Sequence, residues 1–332
     1  MRGLRRLLIV CGVVVASLAG AATMSETFAT DPRARGWRTW GDTNLWHWQA
    51  ASQQLAVTWD SSKSNSFLHV PLGTVLSTGD VFSIAFDLRM NDLAIGTSSN
   101  KPYTFQLALG LVNSGELSLT NRFRGLGQFS ASSVRNTFEF NYFPDSGFGA
   151  TFAPTVVSTN ARVAFSDNHP LVLTTGDVFR ITMSYSNLML RTTVTRNGLP
   201  YGLPPTNSIK NLALATYPDF RVDTLAIINW SDAVQAGSPV YWGSILAHGI
   251  VDNLELQLPE PPVRHLDGGL TNGQWRGVFV SRTQWLYALE RTTNCVTWQT
   301  VSPTNAGTGG PLTLQDSAPP AGVSTYRVRA WK

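Results

Sequence analysis

The strand-like stretch Glu139-Phe140-Asn141-Tyr142-Phe143-Pro144-Asp145 carries the most interesting candidate chemistry of the chain. As a strand it alternates, so Glu139 and Asn141 share one face while Phe140 and Tyr142 take the other. A carboxylate next to an amide can accept from and donate to a hydroxyl-rich ligand. With Asp145 the pair also supplies oxygens of the kind that hard cations take. Asn141 can neither attack an electrophile nor shuttle a proton, which points to binding rather than bond cleavage. The second signal is aromatic. Trp37, Trp40, Trp46, Trp48 and Trp59, five of the 11 Trp, fall within 23 residues. Trp offers a large flat apolar face and an N–H donor, a combination suited to stacking on the C–H face of a sugar ring. Trp46 and Trp48 share a face, with His47 turned away. The expected binding residues are Trp46, Trp48, Glu139, Asn141, Tyr142 and Asp145. No catalytic residue is assigned, and no set of metal ligands is fixed.

Other chemistry is missing from the sequence. There is no His-Glu-x-x-His, paired Cys-x-x-Cys, phosphate loop or Gly-x-Ser-x-Gly elbow. The remaining histidines, at 69, 169, 248 and 265, are scattered. The formal charge of +4 is partly due to Arg2, Arg5 and Arg6. Without them the balance is 22 basic against 21 acidic residues, and no Lys/Arg run remains. Nucleic acid is therefore not an expected partner.

Arg2 to Arg6, the apolar run Leu7 to Leu18 and the small residues Ala19-Gly20-Ala21 form the pattern of a secretory signal peptide over residues 1–21. The run of 12 is short of the ~20 residues that span a bilayer. The expected product is exported through the Sec pathway to the medium or cell surface. It keeps no membrane span after cleavage, and a monomer is expected. Cleavage leaves Cys295 alone, so no internal disulfide can form. Cys295 is expected to be buried within a strand-like stretch.

The elements around these residues read as strands. Phe82 to Leu88, Leu254 to Leu258 and Tyr326 to Ala330 alternate apolar with polar or small residues. Turn signals are frequent, and Asn197-Gly198 is a hairpin turn by composition. Thr78-Gly79-Asp80-Val81-Phe82 recurs as Thr175-Gly176-Asp177-Val178-Phe179, a polar turn feeding a strand in each case. No helical stripe is capped at both ends. The composition is 43% hydrophobic and only 14% charged, which excludes a disordered chain. Pro259, Pro261 and Pro262 mark a stiff connector. The fold class is all-β. A large two-sheet jelly-roll sandwich is expected over 22–258, a linker over 259–265 and a small C-terminal β-sandwich over 266–332.

Glu26-Thr27-Phe28, Trp59-Asp60-Ser61-Ser62, Phe86 to Arg89, Glu139 to Phe143 and Gly249 to Leu254 together resemble a concanavalin-like lectin/glucanase jelly roll over residues 26–258. The tail, with Leu289 to Asn294, Trp298, Leu312 to Asp316 and Tyr326 to Val328, resembles fibronectin-III-like modules of secreted bacterial proteins. In retaining glucanases of the jelly-roll family, two carboxylates two apart on one strand serve as nucleophile and acid/base. Here Asn141 takes the second place, so the resemblance departs from the hydrolases at their centre. In the legume-type lectins a similar strand and loop bind calcium and a transition metal. Glu139, Asn141 and Asp145 match that pattern in part, and its histidine is missing. The resemblance thus implies a secreted, non-catalytic carbohydrate-binding protein with a glycan or polysaccharide partner. It implies no cofactor other than a calcium ion at that strand. The alternatives are a surface structural or adhesion protein that binds no sugar, and a polysaccharide-degrading glycosidase or lyase.

Overall fold

The computed structural model describes residues 22–97, 106–117, 134–145, 149–166, 170–202, 208–209, 217, 219–231 and 243–332. The leader expected over 1–21 and His169 lie outside them. The chain divides into two compact units, Thr23–Leu258 and Pro259–Lys332.

The first unit is built from strands β1 (Thr23–Glu26), β2 (Arg38–Trp40), β3 (Trp46–Gln49), β4 (Gln54–Asp60), β5 (Ser66–Leu76) and β6 (Phe82–Ile95). There follow β7 (Leu107–Val112), β8 (Thr137–Phe143), β9 (Thr151–Phe152), β10 (Thr155–Val157) and β11 (Val163–Phe165). The last are β12 (Phe179–Ser186), β13 (Met189–Arg196), β14 (Leu199–Tyr201), β15 (Ser208–Ile209), β16 (Val222–Asn229) and β17 (Ile245–Gln257). One sheet runs β14-β13-β12-β6-β17-β4-β3, with β1 added to β17 and β15 to β13. The other runs β11-β10-β8-β7-β16-β5-β2, with β9 added to β8.

Period-two patterning explains why the two sheets stack. Phe179, Ile181, Met183 and Tyr185 of β12 are buried on one side, while alternate residues reach the other. Phe82 of the nine-stranded sheet meets Phe138 of the eight-stranded sheet at 4.9 Å, and Phe86 meets Phe140 at 5.4 Å. Edge-to-face pairs of this kind add to burial. Asn197 and Gly198 both have positive φ, 49° and 82°, and turn β13 into β14. That pair of angles is what a twisted two-residue hairpin requires. The repeated polar turn leads into β6 and β12, which pair side by side. In both copies the Asp staples its turn: Asp80 accepts from the Ser77 N–H, and Asp177 from the Thr174 hydroxyl.

The second unit holds β18 (Val263–Thr271), β19 (Gln274–Ser281), β20 (Leu286–Thr292), β21 (Gln299–Thr300), β22 (Asn305–Ala306), β23 (Pro311–Asp316) and β24 (Thr325–Trp331). They form a three-stranded sheet, β18-β19-β23, and a four-stranded one in which β20 pairs β21, β22 and β24. Phe279, Trp285, Tyr287, Leu289 and Leu314 form its own core. Trp275 lies flat on Tyr326, with ring centroids 4.1 Å apart. A side chain at Gly268 would come within 2.6 Å of the Trp275 ring, so glycine makes room for the stack. The proline segment is tied to this unit, because Pro262 O accepts from the Tyr287 hydroxyl at 2.6 Å. Cys295 corrects one expectation. It is exposed and has φ 58° in a loop, because Asn294 Oδ1 accepts from the Val296 and Thr297 N–H groups and turns the backbone there.

Candidate functional site

The strand that carries the candidate chemistry, β8, lies between β7 and β10 of the eight-stranded sheet. Its register fixes which way each side chain goes. Phe140 is opposite Leu109 on the core face, while Glu139 is opposite Gly110 and Asn141 opposite Ala108 on the other face. The expected split of Glu139 and Asn141 from Phe140 and Tyr142 is therefore what the sheet shows. Gly110 is required there, since a Cβ on it would lie 2.3 Å from Phe138 O and 2.6 Å from Glu139 Cα. The next strand, β16, continues the small-residue row with Ala226 beside Gly110.

The same face carries aromatic residues that sequence reasoning did not single out. Phe67 and His69 of β5, and Trp40 and Arg38 of β2, share it by register. Trp40 packs on Phe67 at 5.9 Å, and Phe67 on Trp230 edge-on at 5.6 Å. Trp230 Nε1 donates to Glu139 Oε2 at 3.3 Å. An aromatic row thus leads from the half-buried Trp40 at the sheet edge to the carboxylate at its middle. Among the described residues of this face, Asn141 Oδ1 and His69 Nδ1 are buried without a hydrogen-bond partner. Burial and then the Arg38 charge lower the His69 pKa, which favours the neutral ring.

Two expectations about this strand need correction. Glu139 and Asn141, expected to bind, are not open to water: Glu139 is 0% and Asn141 1% exposed. Strands β7 and β16 are buried on both sides as well. Tyr142 belongs to the core face, where its hydroxyl accepts from Leu173 N–H at 3.0 Å. Burial is the main cause that raises its pKa. Asp145 is half-buried just past the end of β8.

The tryptophan cluster divides. The face shared by Trp46 and Trp48 is the core face. Trp46 is 2% exposed, and Trp48 packs against the same core with its Nε1 donating to Phe28 O at 2.8 Å. Trp37 and Trp59 are buried too. Trp46, with its ring enclosed, has no face left for a ligand. Of the five, Trp40 alone lies on the face of Glu139. A signal for it was present, since Trp40 stands two residues from Arg38 in an alternating segment. Trp230 follows β16, whose apolar run Leu225 to Ile228 does not alternate and so says nothing about which side the ring takes.

A second polar cluster lies on the outer side of the nine-stranded sheet, in a groove of about 450 Å³. Strand β17 bulges between Asp252 and Glu255, with Asn253 at φ 45°. Arg180 bonds Asp87 at 3.3 Å and Glu255 at 3.0 Å, and Asn253 Nδ2 donates to Asp87 at 2.8 Å. Burial, and to a lesser degree the charges of Asp87 and Glu26, raises the Asp252 pKa. This cluster largely satisfies itself, as a bulge in mid-strand must.

Calcium takes six to eight oxygens. The described residues around β8 supply one carboxylate and one amide on the shared face, and an N–H donor already points at the carboxylate. Among the described residues no group of three or more His, Cys, Asp or Glu is placed to hold a metal ion.

No family model and no curated protein sequence matches the chain. In solved structures the chain is similar to the Bacillus licheniformis beta-glucanase, at 8% identity and a TM-score of 0.42 over 73% of this chain and 100% of that one. It is also similar to the carbohydrate binding module CBM66 from Bacillus subtilis, at 9% identity and 0.33 over 67% and 95%. A third is a seed lectin of Lotus tetragonolobus, at 13% identity and 0.38 over 72% and 100%.

Proposed function

We propose that the first unit is a non-catalytic carbohydrate-binding domain of an exported protein, and that the outer face of β8 is its site. One observation carries the reading: among the described residues, Asn141 Oδ1 and His69 Nδ1 are buried without partners on the face of β8 opposite Phe140. An orphaned buried acceptor costs about 1–3 kcal/mol, so a fold keeps it where a ligand completes it. Sugar hydroxyls supply both donors and acceptors. The half-buried Trp40 at the sheet edge supplies an apolar wall for a ring face. The buried Glu139 carboxylate favours a neutral sugar over an acidic one. With Asn141 in place of a second carboxylate, the strand binds and does not cleave.

A surface adhesion protein that takes no sugar is the second reading, favoured by the burial of Glu139 and Asn141. A panel of neutral polysaccharides titrated by calorimetry separates the two. The binding reading expects a ligand whose affinity falls about 2- to 13-fold in Asn141→Leu, the worth of one hydrogen bond. No binding by the folded protein would favour the adhesion reading. Release of reducing ends, abolished by Glu139→Gln, would overturn both in favour of an enzyme.

A further inference from the structure

The second unit has a different charge character from the first. From Pro259 on it holds 7 basic and 4 acidic residues, whereas residues 23–258 hold 15 and 17. Two of the seven basic residues, Arg327 and Arg329, stand together on the outer face of the four-stranded sheet. Leu289 and Tyr287 pair with Val328 and Ala330, and these four join the core. The alternate positions pair Glu290 with Arg327, Ala288 with Arg329 and Leu286 with Trp331, on the other face.

The guanidinium of Arg327 lies 4.0 Å from the Trp298 ring centroid, and that of Arg329 lies 5.0 Å from Trp331. Both reach Glu290, at 2.7 and 3.4 Å. Glu290 is 5% exposed, while the two arginines are 50% and 58% exposed. Cation–π pairs occur about once per 70–80 residues, so two on one small sheet face mark it out. Each arginine is held by a ring and by a carboxylate, and keeps further N–H donors in its fork. One carboxylate against two guanidiniums leaves the row positive. Alternate residues of a strand stand roughly 6.6 Å apart, which sets the pitch of the two charges.

We propose that this face binds an acidic polysaccharide. Arg327 and Arg329 pair with sugar carboxylates or sulfate esters, and Trp298 and Trp331 take the flat faces of neighbouring sugar rings. The fork of arginine fits either anion bidentately. This surface is separate from the site on the first unit and does not depend on it.

The test uses the whole chain at about 50 mM salt, where surface charge is little screened. The probes are polygalacturonate for carboxylates, dextran sulfate for sulfate esters and duplex DNA as a different polyanion. Binding to one or both polysaccharides is expected. It should weaken at least fivefold in Arg329→Gln and in Trp331→Ala. Arg329→Lys keeps the charge and the partner of Glu290 but loses the fork, and should still weaken binding severalfold. Arg276→Gln removes a charge from an exposed site on β19 and should change nothing. No binding to either polysaccharide would overturn the proposal. Equal loss from Arg276→Gln would reduce it to diffuse charge attraction, and DNA binding as tight as polysaccharide binding would assign the face to nucleic acid.

Discussion

Trp40 and Trp46 stand six residues apart and serve opposite faces of the sandwich. Trp46 is enclosed in the core, so Trp46→Ala should cost about 3–5 kcal/mol in urea unfolding. Trp40 is half-buried over Phe67, and its loss should cost about 1–2 kcal/mol, less apolar area being uncovered. Equal losses would mean that the two rings had been assigned to the wrong faces. The sequence made Trp46 and Trp48 equivalent to each other, and they are. It could not say that their shared face is the core, because alternation tells which residues go together and not where. The same limit separates Tyr142, a core residue, from Glu139 on the same strand. Asp177 offers a check by pH. Hydrogen bonds from Thr174, Asn197 and Arg196 hold its carboxyl at about 2, below the ordinary 3.8. The fold therefore binds this proton less tightly than the unfolded chain does. The resulting stability is fully present above 3.8 and is lost as pH falls through 2. Asp177→Asn should lower the melting temperature at pH 7, and the difference should vanish near pH 2.

Among the elements, the close pairing of β7 with β8 is sensitive to substitution. Gly110 allows the two backbones and the Glu139 side chain to share one place, and a Cβ has no room there. Gly110→Ala should destabilise by about 1–3 kcal/mol, as overpacking does, without altering the denaturant slope. It should also weaken any neutral sugar bound at Asn141. A variant of wild-type stability would show that the strands can move apart freely. Much of this level was legible beforehand. The alternation of Phe82 to Leu88, the turn at Asn197-Gly198 and the repeated Thr-Gly-Asp turns all depend on local rules that act within a few residues. The loop at Cys295 was missed, because the Asn294 side chain overrides an apolar pattern that otherwise suits a strand. The orphaned atoms on the β8 face could not be read at all. They depend on β5, β7 and β16 meeting, and no local pattern encodes which strands become neighbours.

For the molecule as a whole, two cores without a shared cluster imply two melting events. The 74-residue unit should absorb about 50 kcal/mol and the 236-residue unit about 165 kcal/mol, at roughly 0.7 kcal/mol per residue. Calorimetry that gave one transition with the summed enthalpy would show that the units unfold together. The first unit also has an unusual order of assembly. Among the described residues, strand β1 pairs only with the far end of β17, from Thr23 with Gln257 to Glu26 with Leu254. Strand β17 further joins β6 to β4 in the middle of the nine-stranded sheet. A ribosome making this chain finishes β1 first and supplies its partner about 230 residues later. Until then the sheet is split where β17 will run, and β6 and β4 present open edges of the kind that pair with other chains. The nascent protein must be kept apart from its neighbours for most of its synthesis, and one late strand then closes the sheet.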